Sequence, residues 1–354
     1  MRSASSLTLS ALLATTLSLS AAPAQAAASN GYLALGDSYA SGLGSRTYYA
    51  DGTSCYRSPD SYGALTAARY GLSLTLAACS GAVTNDVATR QLRTLSSSTA
   101  YVTITVGGND VGFSPVLTEC AMPGWMSNCK GAIDSGLRVL SNQLPGRITT
   151  LLRAVRNRAP GAKVVLTGYP RLFNNEDCHF ATFFSNAEEV RLNAATDQLN
   201  GVLQRQAGTA GVGFVNPVTS FSGHAWCDDG HWINGLSSPL VNSYHPNTAG
   251  HAAYAQLVGP ALVGTPPVLS RAAAQRLSST SSTVRLPSSP TSTRPFHFRA
   301  PNLNSAKATR MARMAGITTS ELNRLRRTQR QGASNAALER LNSEITRAAQ
   351  LRRR

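Results

Sequence analysis

Between residues 30 and 262 short apolar runs alternate with longer segments whose apolar positions recur at helical spacing. The runs 32–35, 73–77, 101–106, 163–167 and 213–215 predict strands, and helices are predicted near 61–69, 85–95, 132–157, 186–206 and 248–262. Strands that alternate with helices need crossover connections, which place helices on both faces of a parallel sheet. The expected fold is therefore α/β, a three-layer α/β/α sandwich around a central, mostly parallel five-stranded sheet. This span is long enough for one full hydrophobic core. In such a sheet, sites form beyond the carboxyl ends of the strands, near the point where the strand order reverses. Ser38, Gly81 and Asn109 each follow a predicted strand end.

The flanks differ from this middle. Residues 1–26 carry Arg2, an apolar Ala- and Leu-rich run over 7–22, and the small residues Ala24-Gln25-Ala26, which is the pattern of a secretory signal peptide. Export to the extracellular side is expected, and the six cysteines, all after the signal and none in a Cys-x-x-Cys pair, fit an oxidising compartment better than zinc or redox use. The catalytic-type domain is expected over 27–264. A Ser/Thr/Pro/Arg-rich stretch, 265–304, is expected as a solvated linker. The tail 305–354 is basic, with Leu322, Leu325, Leu338, Leu341 and Ile345 as a partial helical stripe, and predicts a helical hairpin.

Charge follows the same division. Of the +16 total, residues 271–354 hold seventeen Lys and Arg against three Glu, whereas 27–270 hold fifteen against fourteen acids. The middle is nearly neutral, so specific nucleic-acid binding is not expected of it. The tail alone suits attraction to anionic surfaces.

Candidate chemistry sits in four short motifs: Gly36-Asp37-Ser38-Tyr39, Cys79-Ser80-Gly81-Ala82, Gly107-Gly108-Asn109-Asp110 and His245-Pro246-Asn247. A strand that stops at glycine and turns into a helix exposes one hydroxyl beside helix N-terminal amides, which makes Ser38 the candidate nucleophile. A serine needs a base, and His245, presented from a loop by the following proline, can accept and then return its proton. Asp37 is expected as a helix cap.

With these four motifs in this order, the chain resembles the secreted GDSL esterases of the SGNH-hydrolase superfamily, especially their actinomycete lipase and phospholipase branch. The resemblance spans residues 30–262. It implies hydrolysis of carboxylic esters through an acyl-enzyme on Ser38, without cofactor or metal. It also implies an oxyanion hole built from the Ser38 and Gly81 backbone N–H groups and the Asn109 side-chain amide. The same resemblance implies the disulfide pairing Cys55 with Cys79, Cys120 with Cys129, and Cys178 with Cys227.

At one position the chain departs from the family pattern. Many relatives carry Asp three residues before the histidine; here that residue is Asn242. The expectation is a Ser38–His245 dyad whose ring is oriented by the Ser243 backbone carbonyl. Asn242 positions the turn or accepts from the ring, and Asp228 or Asp229 remains an alternative acid. Tyr39, Phe113, Trp125, Met126, Phe173, Phe180, Phe183 and Phe184 are candidates for an acyl-binding groove, with half or more of them equally suited to the core. The expected partner is an ester or lipid substrate, with peripheral contact to lipid aggregates, and the expected state is a monomer. Acyl transfer or carbohydrate O-deacetylation on the same site, and an adhesive protein held by its basic tail, are the rival functions.

Overall fold

The computed structural model describes residues 30–179, 181–264, 283–287, 296–332 and 335–353. The signal segment 1–26, most of 265–304 and Phe180 therefore lie outside the described residues. Strand β1 (Gly31–Gly36) pairs in parallel with β2 (Ser73–Leu76) on one side and β3 (Tyr101–Thr105) on the other, with Leu33 opposite both Thr75 and Val102. Strands β4 (Lys163–Thr167) and β5 (Gly213–Val215) continue the sheet beyond β3. From Tyr32 onward β1 is buried on both faces, as a parallel sheet covered by helices requires.

A sixth strand is present where five were expected. The two-residue β6 (Val284–Arg285) pairs in parallel with β2, giving the order β5-β4-β3-β1-β2-β6. It comes from the stretch whose composition suggested a solvated linker. The Leu74 N–H donates to the Thr283 carbonyl at 3.0 Å, and the buried Arg57 donates to the Pro287 carbonyl at 3.0 Å. Two ladder residues are too few to leave an alternating pattern in the sequence.

The helices α1 (Ser38–Ser41), α2 (Tyr62–Tyr70), α3 (Thr84–Thr89), α4 (Phe113–Cys120), α5 (Cys129–Asn142), α6 (Leu144–Arg158), α7 (Asn186–Thr209) and α8 (Thr248–Val263) flank the sheet. Here α2 packs with α8, while α3, α6 and α7 form a second group. Local chemistry sets their ends. Ser185 and Glu188 form a reciprocal capping box at α7, and the Asn247 side chain accepts from the Gly250 N–H at α8. The single helix expected over 132–157 is two helices, because Pro145 lacks an N–H and fits only the first turn of a new one.

After the sheet come α9 (Ala306–Met314), α10 (Thr319–Arg330) and α11 (Asn335–Arg352), three helices among the described residues of the tail where a hairpin was expected. Leu322, Leu325, Leu338, Leu341 and Ile345 are buried together with Leu303 in a separate core, which Phe183 of the main domain enters. Trp125 donates its indole N–H to Asn342 at 3.0 Å across the same seam. Disulfides join Cys55 with Cys79, Cys120 with Cys129 and Cys178 with Cys227. Closing loops of this size stabilises a fold by about 2–4 kcal/mol each.

One buried acid gives the fold a pH signature. Glu189 of α7 is fully buried, and neither of its carboxylate oxygens has a hydrogen-bond partner among the described residues. Burial, reinforced by the charges of Asp177 and Glu339, pushes this carboxyl up to about 8. The folded chain then keeps a proton that the unfolded chain releases, so stability declines as pH rises from the ordinary glutamate value toward 8. We expect Glu189→Gln to raise the thermal midpoint over wild type at pH 8 and to leave it nearly unchanged at about pH 4. Thermal unfolding followed by circular dichroism checks this, and an unchanged or lower midpoint at pH 8 contradicts it.

Candidate active site

The site begins at Gly36, where φ is +129° and an added Cβ would stand 2.0 Å from the Thr105 carbonyl oxygen. No side chain fits there. The next amide, Asp37 N–H, donates to that carbonyl at 2.9 Å, so the end of β1 is tied to the end of β3. Gln91 clasps the same turn, accepting from the Gly36 N–H at 2.7 Å and donating to the Gly36 carbonyl at 2.8 Å. The Cys79 N–H also donates to the Gly36 carbonyl, at 3.0 Å, which ties in the end of β2.

Asp37 caps the short helix α1 through the Tyr39 N–H at 3.0 Å, and its other oxygen accepts from the Tyr169 hydroxyl at 2.6 Å. Burial pushes its carboxyl up to about 7. Ser38 is thereby fixed as the first residue of α1.

His245 reaches Ser38 from the loop before α8. Its backbone is held by Asn234, whose N–H donates to the His245 carbonyl at 2.9 Å and whose side-chain amide donates to the Gly44 and His245 carbonyls at 2.9 and 3.1 Å. The ring Nδ1–H donates to the Ser243 carbonyl at 2.8 Å, because a carbonyl can only accept. The tautomer is then fixed, and Nε2 accepts from the Ser38 hydroxyl at 2.8 Å. Burial pulls the ring down from its ordinary value to about 3, so it is neutral across the neutral range.

The other expected partners lie elsewhere. The Asn242 amide oxygen accepts from the Tyr48 hydroxyl. Asp228 accepts from the Ala225 N–H at 2.8 Å and from Asn174 at 2.9 Å, and Asp229 is exposed. Neither is hydrogen-bonded to the His245 ring.

Gly81, at φ +79°, sits in a turn whose flanking amides are already used, Ser80 N–H on the Cys55 carbonyl and Ala82 N–H on the Cys79 carbonyl. Gly81 and Asn109 line one cleft together. Asn109 spends one amide hydrogen on the Ala82 carbonyl at 3.1 Å, which joins the two turns and leaves the second hydrogen available. Asp110 adds a further tie, accepting from the Thr84 N–H and hydroxyl at 2.9 and 2.7 Å. The Ser38–His245 pair lies beyond the carboxyl end of β1, and the turns after β2 and β3 bring Gly81 and Asn109 to one cleft. That arrangement suits attack on a carbonyl and stabilisation of the resulting oxyanion.

Beside it lies an apolar pocket of about 90 Å³, with Tyr39, Phe113, Leu117, Leu137, Leu140 and Phe173 among its lining residues. Three of the candidate groove aromatics therefore do line a pocket. Trp125, Met126 and Phe183 instead pack against the C-terminal helices, and Phe184 lies in the core, tilted against Phe173 and edge-on to Tyr244. Gln91, Tyr169, Asn234 and Phe296, whose ring centroid is 4.6 Å from that of His245, are not among the sequence candidates. For Phe296 a signal exists: Phe296-His297-Phe298 is an apolar island in a polar stretch.

Comparison with known proteins shows the family. The GDSL-like lipase/acylhydrolase family matches residues 34–253. A lipase of Streptomyces rimosus is 39% identical over 223 residues, which cover 62% of this chain and 82% of the relative. Lipase 1 of Streptomyces coelicolor is 38% identical over 250 residues, covering 70% of this chain and 92% of the relative. Among solved structures, the extracellular lipase of Streptomyces rimosus superposes with a TM-score of 0.62 at 37% identity, covering 65% of this chain and 99% of that one. Phospholipase A1 of Streptomyces albidoflavus gives a TM-score of 0.63 at 36% identity, covering 66% and 100%. From the strand-end turns to the length of the match, the chain belongs to the GDSL-like lipase/acylhydrolase family.

Proposed function

We propose that this protein is a secreted serine ester hydrolase of the lipase or phospholipase type that works through a Ser38–His245 dyad. The observation that carries the assignment is the relay from the Ser243 carbonyl to Nδ1–H, and from Nε2 to the Ser38 hydroxyl, with 2.8 Å at both ends. Ser38 Oγ attacks the ester carbonyl carbon as Nε2 takes its proton. The former carbonyl oxygen, now negative, is met by the Ser38 and Gly81 N–H groups and the Asn109 amide, each such donor being worth about 2.7–4 kcal/mol. The C–O bond to the alcohol breaks, and the imidazolium returns the proton to the leaving alkoxide. Water, deprotonated by the same nitrogen, then releases the acid and restores Ser38.

The backbone carbonyl of Ser243 takes the orienting role that a carboxylate holds in many relatives. A carbonyl dipole stabilises the imidazolium less than a full charge does, but it cannot be lost by protonation. We expect His245→Ala to lower turnover of a soluble p-nitrophenyl ester by about 10³-fold or more. Asn242→Ala, which removes only the Tyr48 contact, should stay within about tenfold of wild type. Equal losses in the two variants would assign the orienting role to Asn242.

The apolar pocket beside Tyr39 and Phe113 supports lipid esters over acetylated carbohydrate, since an acetyl group has no use for a hydrocarbon-lined chamber. Turnover of p-nitrophenyl esters from acetyl to palmitoyl tests the class, and Ser38→Ala should abolish all of it. The half-buried Leu137 lines this pocket, and Leu137→Trp should lower kcat/KM for long-chain esters by about tenfold or more while sparing acetate. A uniform loss along the series would place the acyl chain elsewhere.

The basic C-terminal helices provide attraction to anionic lipid aggregates. Exchange of the exposed Arg327 and Arg330 for Glu should weaken co-sedimentation with anionic vesicles at low salt and leave soluble-ester turnover intact. Retention equal to wild type would remove the tail from substrate approach.

A further inference from the structure

The family match ends at residue 253, and a segment beyond it lies across the catalytic groups. The phenyl ring of Phe296 stands edge-on to the His245 ring, with centroids 4.6 Å apart and planes at 88°. It also contacts Phe113, at 5.8 Å between centroids. Two residues on, Phe298 packs on Tyr244 at 5.0 Å. Backbone bonds pin the same stretch to α4: the Ser114 hydroxyl donates to the His297 carbonyl at 2.6 Å, and the Arg299 N–H donates to the Thr118 hydroxyl at 3.2 Å. Phe296, His297 and Arg299 form one wall of the cleft into which Gly81 and Asn109 face.

Under this strap His245 is 0% exposed and Ser38 is 3% exposed. An ester cannot react in that arrangement. Its carbonyl carbon must come within about 3–3.5 Å of Ser38 Oγ, with its oxygen turned to the donors. The deacylating water must also touch Nε2.

The strap is anchored well away from the site. Arg326 donates to the Leu303 carbonyl at 2.9 Å, and Leu303 lies in the core formed by α10, α11 and Phe183. At α9, Ala308 packs against Met122 and Met126 of the main domain. The C-terminal helices thus act as a clamp on a short cover.

We propose that residues 296–299 are an autoinhibitory strap, held over the Ser38–His245 pair by the C-terminal helical module, and that it must lift before an ester can enter. This inference rests on the assignment of Ser38 and His245 as the catalytic pair. It explains why an esterase site beyond a parallel sheet is closed by apolar rings from a segment outside the family match. Burial is the first cause of the lowered basicity of His245, and Phe296, edge-on to the ring, is one of the groups that bury it.

The test uses the full chain and a small phosphonofluoridate, which forms a bond from serine oxygen to phosphorus as fluoride leaves. Its labelling rate is measured across pH in wild type, Phe296→Ala, Leu325→Asp and Ser38→Ala. Phe296→Ala should label about fivefold faster or more, since one aromatic contact over the ring is removed. Its acid limb should also move up toward the ordinary histidine range as water reaches the ring. Leu325→Asp, which disrupts the clamp and leaves the site untouched, should shift both readouts in the same direction. Labelling of Phe296→Ala at or below the wild-type rate, with an unmoved acid limb, would overturn the strap and make Phe296 a wall of the substrate site. Labelling that persists in Ser38→Ala would overturn the nucleophile assignment, and the strap with it.

Discussion

At Gly36 the first strand runs so close to the third that a Cβ has no room beside the Thr105 carbonyl. This contact constrains everything that follows. The chain must turn there, the next amide must bond across to β3, and α1 must start at Ser38. The ends of β1, β2 and β3 are lashed at this one turn by Asp37 N–H, Cys79 N–H and the Gln91 side chain. Because β1 lies between β2 and β3, the strand order reverses here. The turns that carry Ser38, Gly81 and Asn109 therefore lie together at the carboxyl ends of adjacent strands, a consequence of parallel topology before any chemistry is specified.

In the proposed mechanism the chemistry then rests on fixed dipoles around buried side chains. Asp37, the carboxyl nearest the nucleophile in sequence, bonds the Tyr39 N–H and the Tyr169 hydroxyl and organises the turn without orienting the base. In the mechanism we propose, orientation of the base passes to the Ser243 backbone carbonyl, and the bonds among Asn234, Gly44 and Tyr244 hold the His245 backbone beside it. A carbonyl positioned by the main chain needs no side-chain ordering of its own, so the loop itself sets the tautomer.

The legibility of these features followed their range in sequence. The strand-end placement of Ser38, Gly81 and Asn109 could be read because each sits in a local turn at the end of an apolar run, and local turn chemistry writes itself into neighbouring residues. The parallel sandwich could be read from alternating periods, and the leucine stripe of the C-terminal helices from spacing alone. What depended on distant contacts was silent. Gln91 meets Gly36 across fifty-five residues, and Ser114 meets His297 across 183, with no period to betray either. The sixth strand was hidden by its length of two residues, and the break between α5 and α6 by a helical pattern that continues across Pro145. The aromatic residues were ambiguous for another reason: Phe173 and Phe183 have the same hydrophobicity, and only tertiary packing sends one to the pocket and the other to the clamp.

The central claim is that a main-chain carbonyl holds His245 as the neutral Nδ1–H tautomer facing Ser38. Nitrogen NMR of the full chain, selectively labelled at histidine and assigned with His245→Ala, measures this directly. The account predicts a protonated Nδ1 and an unprotonated Nε2 that persist well below the ordinary histidine range, toward about 3. A proton on Nε2 in the neutral ring, or titration at an unperturbed value, would contradict it.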